Sequence, residues 1–332
     1  MSDMLYPLKF KPILKEKIWG GRKIETILGK SIAPLQNCGE SWEVSAIEEN
    51  VSEISNGFLS ENDLNELIEI YMGDLVGDKI YEQFGLGFPL LVKFIDAEDD
   101  LSVQVHPDDE LAQQRYGQNG KNEIWYILSA EEGAGCYIGF KKGVTKMQYL
   151  QALENGTVDH LLEFYSAQKG DLFFIPAGTI HAIGKGILLA EIQQPSDITY
   201  RIFDWNRVDE EGNERELHLE EALDALHFEE EEGEMPKAGK VEYKENFNTT
   251  TTLFRSEFFN LNLLHFEKPI QKVFVEIDSF VIYICLEGHV HCFTNHNQET
   301  LEAGEVLLLP ACSEEINLVP CHESRLLEIY LS

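Results

Sequence analysis

The stretch Leu101-Ser102-Val103-Gln104-Val105-His106-Pro107-Asp108-Asp109 sets a glutamine and a histidine two residues apart. On a strand, residues i and i+2 face one way and their neighbours the other. Gln104 and His106 therefore project together, while Val103 and Val105 pack outward against a second layer. A glutamine and a histidine aimed into an apolar interior each cost about 1–3 kcal/mol unless they find partners. A divalent cation satisfies both. Glu123 opens the next strand-like run, Glu123-Ile124-Trp125-Tyr126-Ile127-Leu128, and His181 follows the Pro176-Ala177-Gly178 turn. Two imidazoles, one carboxylate and one amide oxygen form a mixed N/O set that suits zinc, with a position left for water or a substrate oxygen. Iron, manganese or cobalt fit the same donors, because ligand type alone does not select the metal.

The elements that must hold these residues are mostly strands. Short runs rich in Val, Ile, Phe and Tyr, bounded by Gly, Pro and Asp, recur at Pro89–Phe94, Leu101–Val105, Glu123–Leu128, Leu172–Ile175, Ile187–Ile192, Phe280–Leu286 and Glu305–Leu309. Two stretches break the pattern with helical spacing. Ser60-Glu61-Asn62-Asp63 reads as a capping box ahead of Leu64, Leu67, Ile68 and Tyr71. Thr145-Lys146-Met147-Gln148 is another, leading into Met147, Leu150 and Leu153 and closed by Asn155-Gly156, with a further turn or two over Val158–Phe164. Helical insertions at about 60–85 and 145–165 are therefore expected on a β scaffold. A third helix, Leu219–Leu226, is expected to be capped by His227.

Gly170-Asp171-Leu172-Phe173-Phe174-Ile175-Pro176-Ala177 reads against Gly304-Glu305-Val306-Leu307-Leu308-Leu309-Pro310-Ala311. Each copy is a turn, a buried strand and a proline-ended exit, which predicts two related β-barrels in tandem. Five residues past the proline, the first copy carries His181 and the second Glu315. The run Glu229-Glu230-Glu231-Glu232-Gly233-Glu234-Met235-Pro236 reads as a solvated acidic loop between them. The expected division is 1–235, with the metal site, and 236–332, a smaller barrel without one. His289 and His291 flank Val290 there, but nothing at the Glu315 position completes a ligand set.

At 332 residues the chain is long enough for two domains. Its formal charge of −33 argues against a phosphate-backbone binder, which needs clustered cations. No nucleic-acid partner is expected. The start of the chain lacks the basic-then-apolar pattern of a signal peptide, and no apolar run is long enough to span a membrane. The six cysteines form no C-x-x-C pair and read as reduced, mostly buried thiols. A soluble cytoplasmic protein with no membrane partner is the expectation; oligomeric state is not legible.

Gln104-Val-His106-Pro107-Asp108, Lys121-Asn-Glu123 and Pro176-Ala177-Gly178-Thr179-Ile180-His181 resemble the metal-binding motifs of the type I phosphomannose isomerases, cupins of jelly-roll fold. The likeness runs from about Pro7 to Arg207 and includes Trp19-Gly20-Gly21 and Glu40-Ser41-Trp42-Glu43. The resemblance implies that Gln104, His106, Glu123 and His181 hold one zinc ion, and that Arg201 and Lys121 are catalytic. Lys93, Ser102, Glu191, Asp197 and Arg207 then fall on positions that contact substrate. Arg207 stands where many relatives have lysine, and Ile183 where several have tyrosine.

Such enzymes interconvert mannose 6-phosphate and fructose 6-phosphate through an enediol, whose developing charge a Lewis-acid metal and nearby cations stabilise. Arg201 and Lys121 would then stabilise charge and move protons. The base stays open between Glu191, Asp197, Lys121 and a hydroxide on the metal. Arg207, Arg201 and Lys93 are the cations available to a phosphate. Two other readings compete. A non-haem iron dioxygenase can use two histidines and a glutamate but needs neither Gln104 nor basic groups. A non-catalytic sugar-binding cupin would keep the scaffold without turnover.

Overall fold

The computed structural model describes residues 5–208, 212–228, 241–245, 248–295 and 297–331. The acidic run, the 235/236 division and His296 lie outside them. The described strands fall into four main antiparallel sheets. The first inner sheet orders Ile13–Lys15, Glu40–Val44, Leu91–Ala97, Ile187–Gln193, Glu123–Ala130 and Leu172–Ile175. An outer sheet, Tyr200–Phe203, Val103–Val105, His181–Ile183, Gly135–Phe140 and Leu162–Ser166, faces it. In the second half Val241–Glu245, Asn248–Arg255, Asn260–Phe266, Ser324–Tyr330, Val281–Glu287 and Val306–Leu309 form the inner sheet. Ile270–Val273, Glu315–Pro320, His289–Phe293 and Gln298–Glu302 form the outer one. The protein is mainly β, as expected. No described sheet closes on itself, so each half is a two-sheet sandwich where a barrel was expected.

Packing explains why the inner strands read as unbroken apolar runs. Ile127, Leu189, Cys136 and Ile183 join inner to outer sheet in the first half, and Tyr283, Leu307, Val290 and Leu318 do so in the second. The other faces of the two inner sheets meet at a shared core that includes Phe94, Leu188, Ile192, Ile282, Leu308 and Ile329. A strand buried on both faces needs apolar residues at every position, so the polar exceptions stand out. Lys93, Asp96, Glu191 and Gln193 are all buried.

The repeated octapeptide occupies matching places. Leu172–Ile175 edges its inner sheet beside Glu123–Ala130, and Val306–Leu309 edges the other beside Val281–Glu287. His181 and Glu315 each begin the outer-sheet strand that follows. The halves are also stitched together by chain crossing between them. Leu8 exchanges two backbone hydrogen bonds with Leu308, at 2.8 and 2.9 Å.

Helices decorate this frame. The first insertion forms Leu64–Tyr71, Gly73–Val76 and Asp78–Phe84. Its capping box is Asp63 with Glu66, three residues later than expected, because Asp63 directly precedes the first apolar position and Glu61 adopts a left-handed φ of +75°. Thr145 and Gln148 do cap Lys146–Asn155, and Gly156 ends it in the left-handed conformation. The buried face there is Tyr149 and Ala152; Met147 is 77% exposed and Leu150 41%. Val158–Leu161 is a single 3-10 turn, after which Leu162–Ser166 is a strand. Leu219–Ala225 is helical, but its cap is Leu226; the His227 N–H instead donates to the Gly178 carbonyl at 3.0 Å. An unexpected helix, Asp109–Tyr116, starts on an Asp108 cap. Val103 and Val105 pack outward as expected, against Tyr149, Ala152, Ala222 and Ala225.

Because the core between inner sheets is shared, Leu308→Ala, which empties a fully buried position, should cost about 2–5 kcal/mol. Urea unfolding followed by two probes should show one coincident, shifted transition; two transitions of which only one moves contradict the shared core.

Candidate active site

The outer sheet delivers three site residues as a row. Gln104 is the cross-strand partner of His181 on one side and of Arg201 on the other. Directly paired residues share a face, so all three project from it together. The facing inner sheet supplies a second row, Lys93, Glu191 and Trp125, through the pairings of Ile187–Gln193 with its two neighbours. Glu123 begins its strand opposite Gln193. His106 lies one residue past Val103–Val105, where its carbonyl accepts the Gly178 N–H at 2.9 Å. Gly178 has φ +84°, and a Cβ there would meet the His227 ring at 2.5 Å, so glycine is required at this turn.

The imidazoles are fixed by backbone carbonyls. His106 Nδ1 lies 2.9 Å from the Ile198 oxygen, and His181 Nδ1 2.9 Å from the Thr179 oxygen. A carbonyl only accepts, so each Nδ1 carries the proton and each Nε2 presents a lone pair. His106 Nε2 is 3.2 Å from Glu123 Oε1, and His181 Nε2 is 3.8 Å from Oε2. Lys121 Nζ and Gln104 Nε2 reach the two lone pairs at 3.2 and 3.3 Å. Rotating the Gln104 amide brings its oxygen to the same place.

Glu123 is the exception. Both its oxygens are buried and neither has a hydrogen-bond donor. Lys121 Nζ stands 2.7 Å from Oε1 as an ion pair, without the orientation of a hydrogen bond. The donor atoms of His106, Glu123 and His181 all lie within 4.8 Å of one another. Two lone pairs and an undonated carboxylate crowded together are a fit for a divalent cation, which neutralises and coordinates them at once.

Electrostatics support the same reading. Burial, then the Lys121 charge, pushes His106 down to about 3, and burial also lowers His181. Both are neutral imidazoles at ordinary pH. Burial pushes the Glu123 carboxyl up, but Lys121, His106 and His181 outweigh it and hold it well below the usual range. Glu191 goes the other way. Burial and then the Glu123 charge raise it to about 7, against the pull of Lys93 and Lys121. It accepts from Trp125 Nε1 at 3.0 Å and pairs with Lys93 Nζ at 3.3 Å. Burial works against the Lys93 ammonium, yet Glu191, Glu40 and Asp197 raise it above its ordinary value.

The remaining expected residues divide. Ser102 and Lys121 are buried beside the set, and Asp197 is exposed. Arg201 donates to the Glu216 carbonyl at 2.8 Å, while its Nε is buried without a partner. Arg207 lies near enough for its charge to act on Arg201. It donates to the Asp100 carbonyl at 2.6 Å and pairs with Asp204, which Arg215 also grips. Its short-range acids absorb it. Arg215 escaped the sequence reading, as did a positioning network. The Asn122 N–H donates to Gln194 Oε1 at 2.9 Å, Asn122 Oδ1 accepts the Ala177 N–H at 3.0 Å, and Gln194 Nε2 donates to Asp109 at 3.0 Å. This ties the loops carrying Lys121, Glu123 and the Pro176 turn to one another. Asn122, between two singled-out residues, was its only local signal. A separate cavity of about 760 Å³ opens against Asp109, Gln194, Phe258 and Tyr330; the metal-type donors are not part of its wall.

The family model of the type I phosphomannose isomerase catalytic domain matches residues 7–132. A mannose-6-phosphate isomerase of Bacillus subtilis is 36% identical over 309 residues, 92% of this chain and 93% of that protein. One from Streptococcus mutans is 35% identical over 307 residues, with 92% and 93% covered. The crystal structure of the mannose 6-phosphate isomerase from Bacillus subtilis superposes with TM-score 0.88 at 30% identity, covering 98% of this chain and 99% of that one. Sheets and donor set define a mainly β protein assembled around a cluster of buried metal-type ligands. The chain belongs to the type I phosphomannose isomerases, a metal-dependent family.

The depressed histidines give the metal-free protein a signed pH dependence. Unfolded imidazoles take up protons below about pH 6.5, which buried His106 refuses until about 3. The histidine contribution is thus full above about 6.5 and is lost as pH falls, and Glu123 acts in the same direction; Glu191, raised to about 7, acts oppositely, so the comparison with a His106 variant isolates the imidazole. Between about pH 7 and about pH 5 the melting temperature of chelator-treated wild type should drop relative to that of chelator-treated His106→Gln. An equal slope in the variant contradicts the assignment.

Proposed function

We infer that this chain is a mannose-6-phosphate isomerase that interconverts mannose 6-phosphate and fructose 6-phosphate through an enediol, with one zinc ion held by Gln104, His106, Glu123 and His181. The observation that carries the reading is the buried Glu123 carboxylate without a donor, facing two imidazole lone pairs. A bound zinc ion supplies Lewis acidity to the sugar's C1 and C2 oxygens. Lys121, buried within 3.2 Å of His106 and 2.7 Å of Glu123, holds positive charge where the enediol oxygens become negative.

Glu191, poised near neutrality, is the carboxylate that exchanges the carbon-bound proton, and Lys93 and Trp125 orient it. Arg201 stands across the sheet from Gln104 and steadies charge on the far side of the ligands. Ser102 and Asp197 flank the substrate. Phosphate recognition draws on Arg201 with the neighbouring guanidiniums of Arg207 and Arg215, which Asp204 holds together. Arg207 acts there through that cluster. The iron dioxygenase and the inert sugar-binding module leave Lys121 and Lys93 buried among acids for no purpose.

The scaffold reads as two cupin-like jelly rolls, which the matched sheet orders and the octapeptide support, divided in the acidic stretch after residue 228. No described helix is long and apolar enough to cross a membrane, and a cytoplasmic site of action is consistent with the reduced thiols.

Coupled turnover of mannose 6-phosphate before chelation, after it and with zinc restored tests the reading. Activity should vanish and return. His181→Ala should lose both metal and turnover, whereas Arg201→Ala should keep the metal and lose about 100-fold or more of the rate. Unchanged kinetics in Arg201→Ala removes that residue from the mechanism, and full activity in the chelated enzyme overturns the metal.

A further inference from the structure

Among the described residues a second group of metal-type donors comes together, and it is not where the repeat would place one. The position matching His181 is Glu315, which pairs with Val273 at the edge of the outer sheet. The new group lies on the same outward face but at the other end of the Glu315–Pro320 strand, where His291 pairs with Val319. In His289–Phe293 the burial alternates, with Val290 and Cys292 fully buried toward the core. His289 and His291 therefore point away from the sandwich interior, side by side, with ring centroids 5.1 Å apart.

Cys321 joins them from the turn after Glu315–Pro320. Its N–H donates to the His289 carbonyl at 2.9 Å, which pins the residue beside the histidine pair. The donor atoms of His289, His291 and Cys321 lie within 4.8 Å of one another. Two ring nitrogens, His289 Nε2 and His291 Nδ1, are shielded from solvent and have no hydrogen-bond partner. On the far side of the His289 ring, Nδ1 stands 3.5 Å from Glu302 Oε1. A carboxylate behind a histidine is the arrangement that turns the other nitrogen toward a metal.

We propose that His289, His291 and Cys321 form a second, surface divalent-cation site, distinct from the catalytic set and selective for zinc-like ions. Two imidazoles and a thiolate are softer than the N/O set of the first half and exclude magnesium and calcium. Three protein donors leave a fourth position for water. The ion clips the turn at Cys321 to the strand bearing the histidines, two segments about 30 residues apart in sequence, and binding releases the thiol proton.

The catalytic donors contain no sulfur, so a thiolate-to-cobalt charge-transfer band reports on this site alone. Full-length protein is stripped by chelation and titrated with Co²⁺. The near-ultraviolet band should appear in the wild type and be absent from both Cys321→Ser and His291→Ala. The stoichiometry in each variant should drop by one ion per chain, and isomerase activity should stay at the wild-type level. No band in the wild type, or a band surviving in either variant, overturns the proposal.

Discussion

Everything in the first half of this molecule is arranged around a carboxylate that the protein itself does not satisfy. Glu123 is buried, ionised and without a hydrogen-bond donor. A lone carboxylate in such surroundings would ordinarily take up a proton. Here the Lys121 ammonium, 2.7 Å away, holds it charged, and the backbone carbonyls of Ile198 and Thr179 prevent either imidazole from turning a proton toward it. The arrangement is stable only if a cation completes it. The chemistry follows from that incompleteness.

Two facing sheets make the arrangement possible. One contributes Arg201, Gln104 and His181 as cross-strand neighbours; the other contributes Lys93, Glu191 and Trp125. Each row is positioned by a hydrogen-bonded ladder, and a ladder gives better precision than a loop. The two residues that sit outside the ladders, His106 and Lys121, are held by loop hydrogen bonds to Gly178 and Pro107. The Asp109–Gln194–Asn122 network joins those loops. Opposite environments then separate the two acids. Glu123 is driven down by three positive or polar neighbours, and Glu191 is driven up by burial and by Glu123 itself. Under the proposed function the first is the ligand and the second the proton carrier.

Much of this was legible before the coordinates. The i, i+2 spacing of Gln104 and His106, and the polar residues embedded in apolar strands, report a functional interior because strand periodicity is local. The change from His181 to Glu315, five residues past the proline of each copy, pointed to the first half for the site. What could not be read was non-local. Closed barrels were expected, but alternation along a strand says nothing about whether the sheet's edges meet. Arg207 was assigned by resemblance; that Asp204 and the Asp100 carbonyl hold its guanidinium could not be read from spacing. Gln194 and Asp109 are 85 residues apart, so no pattern announced their contact. His289 and His291 were noticed as a pair, yet their partner Cys321 is brought over by a strand crossing that no spacing rule predicts.

The most direct measurement is an anomalous-difference map at the zinc edge from crystals of the zinc-loaded protein. The account predicts density at about 2.0–2.2 Å from His106 Nε2, His181 Nε2 and a Glu123 oxygen. An anomalous map with no density between those three atoms contradicts it.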